Sequence, residues 1–276
     1  MEQKLVDVGG RNLAVTLDGE GDKTVVFLHG LTGQKNNFYH LINRLKPFCT
    51  TVAVDLAGRG MSDPTPKSSV PQHATDVIVL LKQLQIEEPI LVGHSMGAFI
   101  ASIIASELPN VKGAVYLDGA CKIEPSMSEA LKLSLGRLQK QYDSKQAYLQ
   151  EMQQLYSFLG ITWTDTIEQS VLYEVKEEDG VWKTAMHAQN ILEDLQGFAD
   201  YDVKIIAEKV SCPVFLVIAT GGIGFMPALF NETLFEPTIA HTKQIEVIQT
   251  SSNHYTMVGV EQAEMNDKVA AFIARL

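Results

Sequence analysis

The chain is 276 residues long and 46% apolar, with 20 glycines and 10 prolines. That is the make-up of an ordinary globular protein, not of a disordered, collagen-like or disulfide-stapled one. Twenty-two Lys and Arg against 33 Asp and Glu leave a formal charge of −11, with no basic cluster along the chain, so neither nucleic acid nor a membrane surface is an expected partner.

Cys49, Cys121 and Cys212 share no C-x-x-C spacing and read as buried free thiols, not as a zinc site or a disulfide framework. No basic-then-apolar leader opens the sequence, and the most lipid-like run, 213–230, is interrupted by glycines and Pro227. A cytoplasmic location is therefore expected.

In chain order, residues 5–8 and 12–17 are expected to form an antiparallel hairpin around Gly9 and Gly10 at a sheet edge. Short β-branched runs then alternate with helical spacing, with strands expected at 24–28, 51–54, 90–93 and 113–117 and helices at 74–84 and 97–107. This rhythm marks an α/β fold, a mostly parallel sheet with helices on both faces. After Asp118 the rhythm stops. Residues 126–202 hold few strand-like runs, several helix-length segments such as 128–142 and 146–159, and a Glu-Glu-Asp-Gly turn at 177–180. Strands resume at 214–219 and 244–249, and an amphipathic helix over 259–276 closes the chain. The expected organisation is a core of residues 1–120 and 210–276 with a mainly helical cap, 121–209, inserted in it.

The strongest local signal is Gly93-His94-Ser95-Met96-Gly97, preceded by Ile90-Leu91-Val92 and followed by a helical run. This is G-x-S-x-G in a strand-turn-helix setting. A strand that turns at once into a helix has no room for a side chain two residues either side of the turn, and the serine is left projecting near the positive end of the helix. A serine hydroxyl is a weak nucleophile until a base takes its proton, so a histidine must come from elsewhere. Seven histidines are available.

Together with His29-Gly30-Leu31 after one strand and Asp55-Leu56-Ala57-Gly58-Arg59-Gly60-Met61-Ser62-Asp63 after the next, these motifs resemble the α/β-hydrolase superfamily in kind and in order. The resemblance implies a mostly parallel sheet, a Ser-acid-His triad, and an oxyanion hole formed by the backbone amides of Leu31 and Met96. It also implies that the base is His254, which follows the last expected strand and precedes the terminal helix, whereas His40, His73, His187 and His241 lack that placement and read as surface or packing residues. His29 itself reads as a residue that shapes its loop, and His94, inside the serine turn with its side chain expected to point away from that of Ser95, as a packing residue. Two departures stand out: Asn253 precedes His254 where the family usually has Gly, and the loop 219–227, where most relatives carry the acid, holds no carboxylate. Some relatives place the acid one strand earlier, which here is Asp118; Glu232 and Glu236, past the later strand, are the alternatives.

No P-loop, dinucleotide fingerprint or metal-ligand cluster is present, so no cofactor and no metal are expected. The cap, with both tryptophans (Trp163 and Trp182), and the apolar loop 221–230 suggest an apolar pocket. The expected function is a serine hydrolase, acting as a monomer or homodimer on a small-molecule ester or lactone with an apolar acyl or aryl part. C–C bond hydrolysis by the same triad, and a ligand-binding receptor of the same fold with little turnover, are the alternatives.

Overall fold

The structure, a computed structural model, describes residues 1–124 and 135–276. Its strands are β1 (Glu2–Asp7), β2 (Asn12–Asp18), β3 (Lys23–Leu28), β4 (Cys49–Val54), β5 (Pro89–His94), β6 (Gly113–Leu117), β7 (Val175–Glu178), β8 (Val181–Thr184), β9 (Val214–Ala219) and β10 (Ile245–Thr250). Among the described residues, one eight-stranded sheet runs β1-β2-β4-β3-β5-β6-β9-β10, with β2 antiparallel to both of its neighbours and the other pairs parallel.

The helices are α1 (Tyr39–Leu45), α2 (Val70–Gln83), α3 (Met96–Glu107), α4 (Lys145–Phe158), α5 (Asp165–Tyr173), α6 (Ala188–Gly197), α7 (Val203–Lys209), α8 (Glu236–His241), α9 (Thr256–Gly259) and α10 (Ala263–Arg275). Successive strand residues point to opposite faces. Val26 and Leu28 of β3 accordingly join the apolar cluster that includes α2 and α3, while Val25 and Phe27 join the one that includes α1 and α10. The central strands are buried on both faces, which is why they read as continuous apolar runs.

Register places all the loops that matter on one edge. Leu28 pairs with Val54 and Gly93, His94 with Leu117, Leu117 with Val217, and Ala219 with Thr250. The residues that follow these pairs, among them His29, Ser95, Asp118 and His254, leave the sheet at its carboxyl edge, where open α/β sheets bind ligands.

Several sequence expectations shift at the ends of elements. Helix α2 begins at Val70, four residues earlier than expected, because the Ser69 side chain caps it by accepting the Gln72 N–H and Pro71 suits its first turn. The terminal helix is two pieces, α9 and α10. The Glu-Glu-Asp-Gly turn is the tip of an unexpected hairpin, β7–β8, with Asp179 and Gly180 at φ 54° and 78°, the left-handed pair that favours a tight strand reversal. Residues 128–134 of the expected helix 128–142 lie outside the described residues, and 136–139 form a 3₁₀ turn.

The inserted segment has a small apolar cluster of its own, built on Tyr142, Tyr148, Leu149, Met152 and Val171 with Trp163 and Trp182 against it. Helix α7, at the end of the expected insertion, packs instead on α3 and α8 beside the sheet.

Candidate active site

Ser95 sits between β5 and α3 at φ 53° and ψ −122°, a backbone conformation that a residue with a side chain adopts only under constraint. The constraint is visible on both sides. A Cβ at Gly93 would come within 2.2 Å of the Gly97 carbonyl oxygen, and one at Gly97 within 1.9 Å of the Leu28 carbonyl oxygen. Those approaches explain both glycines of the motif. The Ser95 N–H donates to the Leu117 carbonyl at 3.0 Å, so the turn is tied to β6.

Asp118 leaves β6 in the left-handed region, at φ 48°. Its N–H donates to the Val217 carbonyl at 2.8 Å. Its fully buried carboxylate accepts the Ala219 N–H at 3.0 Å and lies 2.7 Å from Nδ1 of His254. The end of β9, where a carboxylate was missing from the sequence, contributes a backbone donor to the carboxylate of β6. With Nδ1–H donating to Asp118, the other imidazole nitrogen, Nε2, is left bare as an acceptor. Glu232 and Glu236 are exposed, and Glu232 accepts a hydrogen bond from Gln249, so neither competes for the imidazole.

The His254 ring is held on three sides by the rings of His94, Phe230 and Tyr255, at centroid distances of 4.6, 5.3 and 5.2 Å. His94 Nε2–H donates to the His254 carbonyl at 2.8 Å; burial, with the charge of His254 adding to it, pushes the His94 imidazole well below its usual range. It stays neutral and holds the loop.

His29 is likewise structural. Its Nδ1–H donates to the Gly30 carbonyl at 2.8 Å and its Nε2 accepts the Leu56 N–H at 3.0 Å. Burial pushes it down to about 4. These bonds shape the turn that lays Gly30 and Leu31 against Ser95: a Cβ at Gly30 would lie 3.1 Å from the Ser95 Cβ. Met96 opens α3, where first-turn amides have no acceptor within the helix.

A cavity of about 600 Å³ opens over this edge, and Ser95, His254 and Leu31 line it. Leu155 and Leu159 from the end of α4, with Ile161, Ile167 and Val258, supply much of its apolar wall. The expectation that residues 221–230 wall the pocket is corrected: Phe225 points outward, 92% exposed, against Phe158, and of this loop it is Phe230 that reaches the His254 ring. Both tryptophans belong to the inserted segment's own cluster.

Sequence reasoning missed the ties between the inserted segment and the core. Asp194 of α6 lies 2.6 Å from Arg59, 2.9 Å from His73 and accepts the Ser68 hydroxyl at 2.7 Å, all of them buried. Burial opposes its charge, yet His73 and Arg59 outweigh that and hold its carboxyl below the usual range. Arg59 also donates to the Leu31 carbonyl at 3.1 Å, so the ion pair reaches the turn facing Ser95. At the other side, Tyr173 of α5 contacts the buried Lys35–Asp55 pair, and Gln34 donates to Ser170. These partners are more than 100 residues apart in the chain, and nothing local signals them.

Residues 23–159 match the family model described as the alpha/beta hydrolase fold. The chain belongs to the α/β-hydrolase superfamily. The solved structure of an E-2-(acetamidomethylene)succinate hydrolase superposes with a TM-score of 0.85 at 23% identity, covering 100% of this chain and 99% of that one. In sequence, the chain is 28% identical over 208 residues to an sn-1-specific diacylglycerol lipase of Danio rerio, covering 67% of this chain and 61% of the lipase. It is 36% identical over 128 residues to a 2-(acetamidomethylene)succinate hydrolase of Mesorhizobium japonicum, covering 46% of each. The matched stretch is thus less than two thirds of the length of either sequence relative. Among its described residues, the chain has no helix long and apolar enough to cross a membrane and no group of three His, Cys, Asp or Glu that could hold a metal ion.

Proposed function

We propose that the protein is a serine hydrolase of uncharged carboxylic esters or lactones, with Ser95 as nucleophile, His254 as base and Asp118 as the triad acid. The observation that carries this is the buried 2.7 Å contact between Asp118 and Nδ1 of His254, with His254 and the serine of a strained turn lining the same cavity.

In this reading Nε2 of His254 takes the Ser95 proton as Oγ attacks the ester carbonyl carbon, and the buried carboxylate stabilises the resulting imidazolium. The carbonyl oxygen, now negative, is received by the amides of Leu31 and Met96. The imidazolium protonates the departing alcohol, leaving Ser95 acylated. Water then enters, gives its proton to His254 and attacks the acyl carbon; the acid departs as the proton returns to Ser95.

The cavity favours an uncharged substrate. Its buried cation, Lys35, is matched by Asp55 at 3.1 Å, and Lys46, also in its lining, faces Asp18 at 3.4 Å. A substrate with free carboxylates, such as the one in the succinate hydrolases' name, would find these charges already taken.

Intact-mass analysis after incubation with a fluorophosphonate, with peptide mapping and Ser95→Ala as control, tests the nucleophile. A single adduct on Ser95, with hydrolysis of p-nitrophenyl butyrate faster than of the matching succinate half-ester, is expected. No adduct would overturn the reading in favour of a binding protein of the same fold.

A further inference from the structure

The residue before His254 is one of two places where this chain leaves the family pattern, and the structure gives its side chain four bonds that glycine could not make. The Asn253 carboxamide oxygen accepts the N–H groups of Tyr255 at 2.9 Å and Thr256 at 2.8 Å, which closes the turn into α9. Its nitrogen donates to the Leu159 carbonyl at 2.9 Å and to the Gly222 carbonyl at 3.3 Å. Every donor and acceptor site of the amide is thereby used, at a residue only 8% exposed.

Leu159 is the C-cap of α4, and a carbonyl there has no partner within its own helix. The same helix end walls the cavity through Leu155 and Leu159. The junction is close-packed around this bond. A Cβ on Gly160 would lie 3.5 Å from Asn253 Nδ2, and one on Gly259 would meet the Ile161 side chain at 2.6 Å.

We infer that Asn253 is a positioning residue that ties the His254 loop to the pocket-forming end of α4, so that the imidazole is fully aligned only while that end is seated. The inference rests on the reading of His254 as the base. The loop is held toward Asp118 and His94 from the core side, whereas Asn253 holds it from the side of the inserted segment. Loosening α4 therefore releases one of the loop's supports, and displacements near 1 Å in a catalytic array cost on the order of 10²-fold in rate.

Asn253→Asp and Asn253→Ser separate this tie from the turn itself. Both side chains are good helix N-caps and keep an acceptor for the Tyr255 and Thr256 amides, but the Asp carboxylate has no donor and the Ser hydroxyl is too short to replace the amide nitrogen at Leu159. Three readouts are compared with wild type: amide hydrogen exchange in peptides spanning 155–162 and 250–257, the second-order rate of fluorophosphonate attack on Ser95, and kcat and KM for p-nitrophenyl butyrate.

Exchange in both peptides should rise together, while kcat and the phosphonylation rate fall in parallel by roughly 10- to 100-fold. In Asn253→Ser, which adds no charge beside the loop, the pH–rate profile should keep its wild-type position. Faster exchange with both rates within twofold of wild type would reduce Asn253 to a structural residue and overturn the inference. So would slower reaction with unchanged exchange at 155–162. If wild type itself neither takes the phosphonate nor turns over the ester, the hydrolase reading fails on its own; the coordinated rise in exchange then supports the tie between loop and helix, and its absence overturns it.

Discussion

At the sheet edge, Ser95, Asp118 and His254 ride on three loops whose conformations are dictated from below by close backbone approach at Gly93 and Gly97, the left-handed turn at Asp118, and a carboxylate that accepts from both β9 and the imidazole. Across the cavity, the inserted segment rests on its own small aromatic cluster and meets the core through side-chain hydrogen bonds and buried ion pairs at Gln34, Asp55, Arg59 and Asn253. The first arrangement is steric and leaves little freedom. The second is polar and depends on partners far apart in the chain, which makes it the part that a single substitution, or a shift in pH, can loosen.

The contrast predicts large effects on chemistry at the edge with little effect on stability. Ser95→Ala is expected to remove fluorophosphonate labelling and to cut ester hydrolysis on the order of 10⁴-fold or more, with the urea midpoint nearly unchanged. Asp118→Asn should lower kcat by a comparable ~10⁴-fold, as the analogous change does in serine proteases, by removing the charge that supports the imidazolium. Activity close to wild type in Asp118→Asn would reassign the acid.

The junction should respond in the opposite sense. Asp194→Asn leaves Arg59 buried without its counter-charge, and breaking such a pair costs about 3–5 kcal/mol, to be read from urea unfolding. Because Arg59 also holds the Leu31 carbonyl, kcat should fall as well, by far less than in Asp118→Asn.

The pH response is intermediate in size. His29 titrates near 6.5 in an unfolded chain but at about 4 in the fold, which keeps it neutral. Its contribution to stability is therefore complete above about pH 6.5 and is lost as pH falls toward 4, with ~2 kcal/mol gone between pH 7 and pH 5. His29→Gln, which retains an acceptor for the Leu56 amide, should flatten the fall in urea-derived stability over that interval. The smallest effect is expected at Phe225, 92% exposed on the outer rim: Phe225→Ser should change stability by no more than about 0.5 kcal/mol and leave ester turnover intact.

The same contrast explains what could be read from the residues alone. The succession of strands along the chain and the serine turn were legible from local rules, continuous β-branched runs and glycine where Cβ has no room, whereas the imidazole after the last strand and the aspartate at the end of β6 were picked out through the family resemblance. The β7–β8 hairpin was missed although Asp179-Gly180 is a strong reversal signal, since its strands are only four residues long, β7 largely exposed and β8 mostly half-buried, and so lack an apolar pattern. Asn253 was visible as a departure from the family, but its meaning was not, because the Leu159 carbonyl that it holds belongs to a helix end 94 residues earlier. Arg59 could be seen in its glycine-rich loop; its partner Asp194 could not.

On the proposed reading, in which Asp118 at the end of β6 is the acid, the outer stretch of the loop that follows β9 takes no part in the chemistry. From Gly224 to Leu229 it forms a largely exposed rim, while Ala219, Gly221 and Gly222 keep the anchoring bonds and Phe230 keeps its place on the imidazole. That rim is a natural site for lengthening, shortening or randomising the chain in laboratory evolution, where new contacts with a substrate's distal part could be sampled without disturbing the reacting groups.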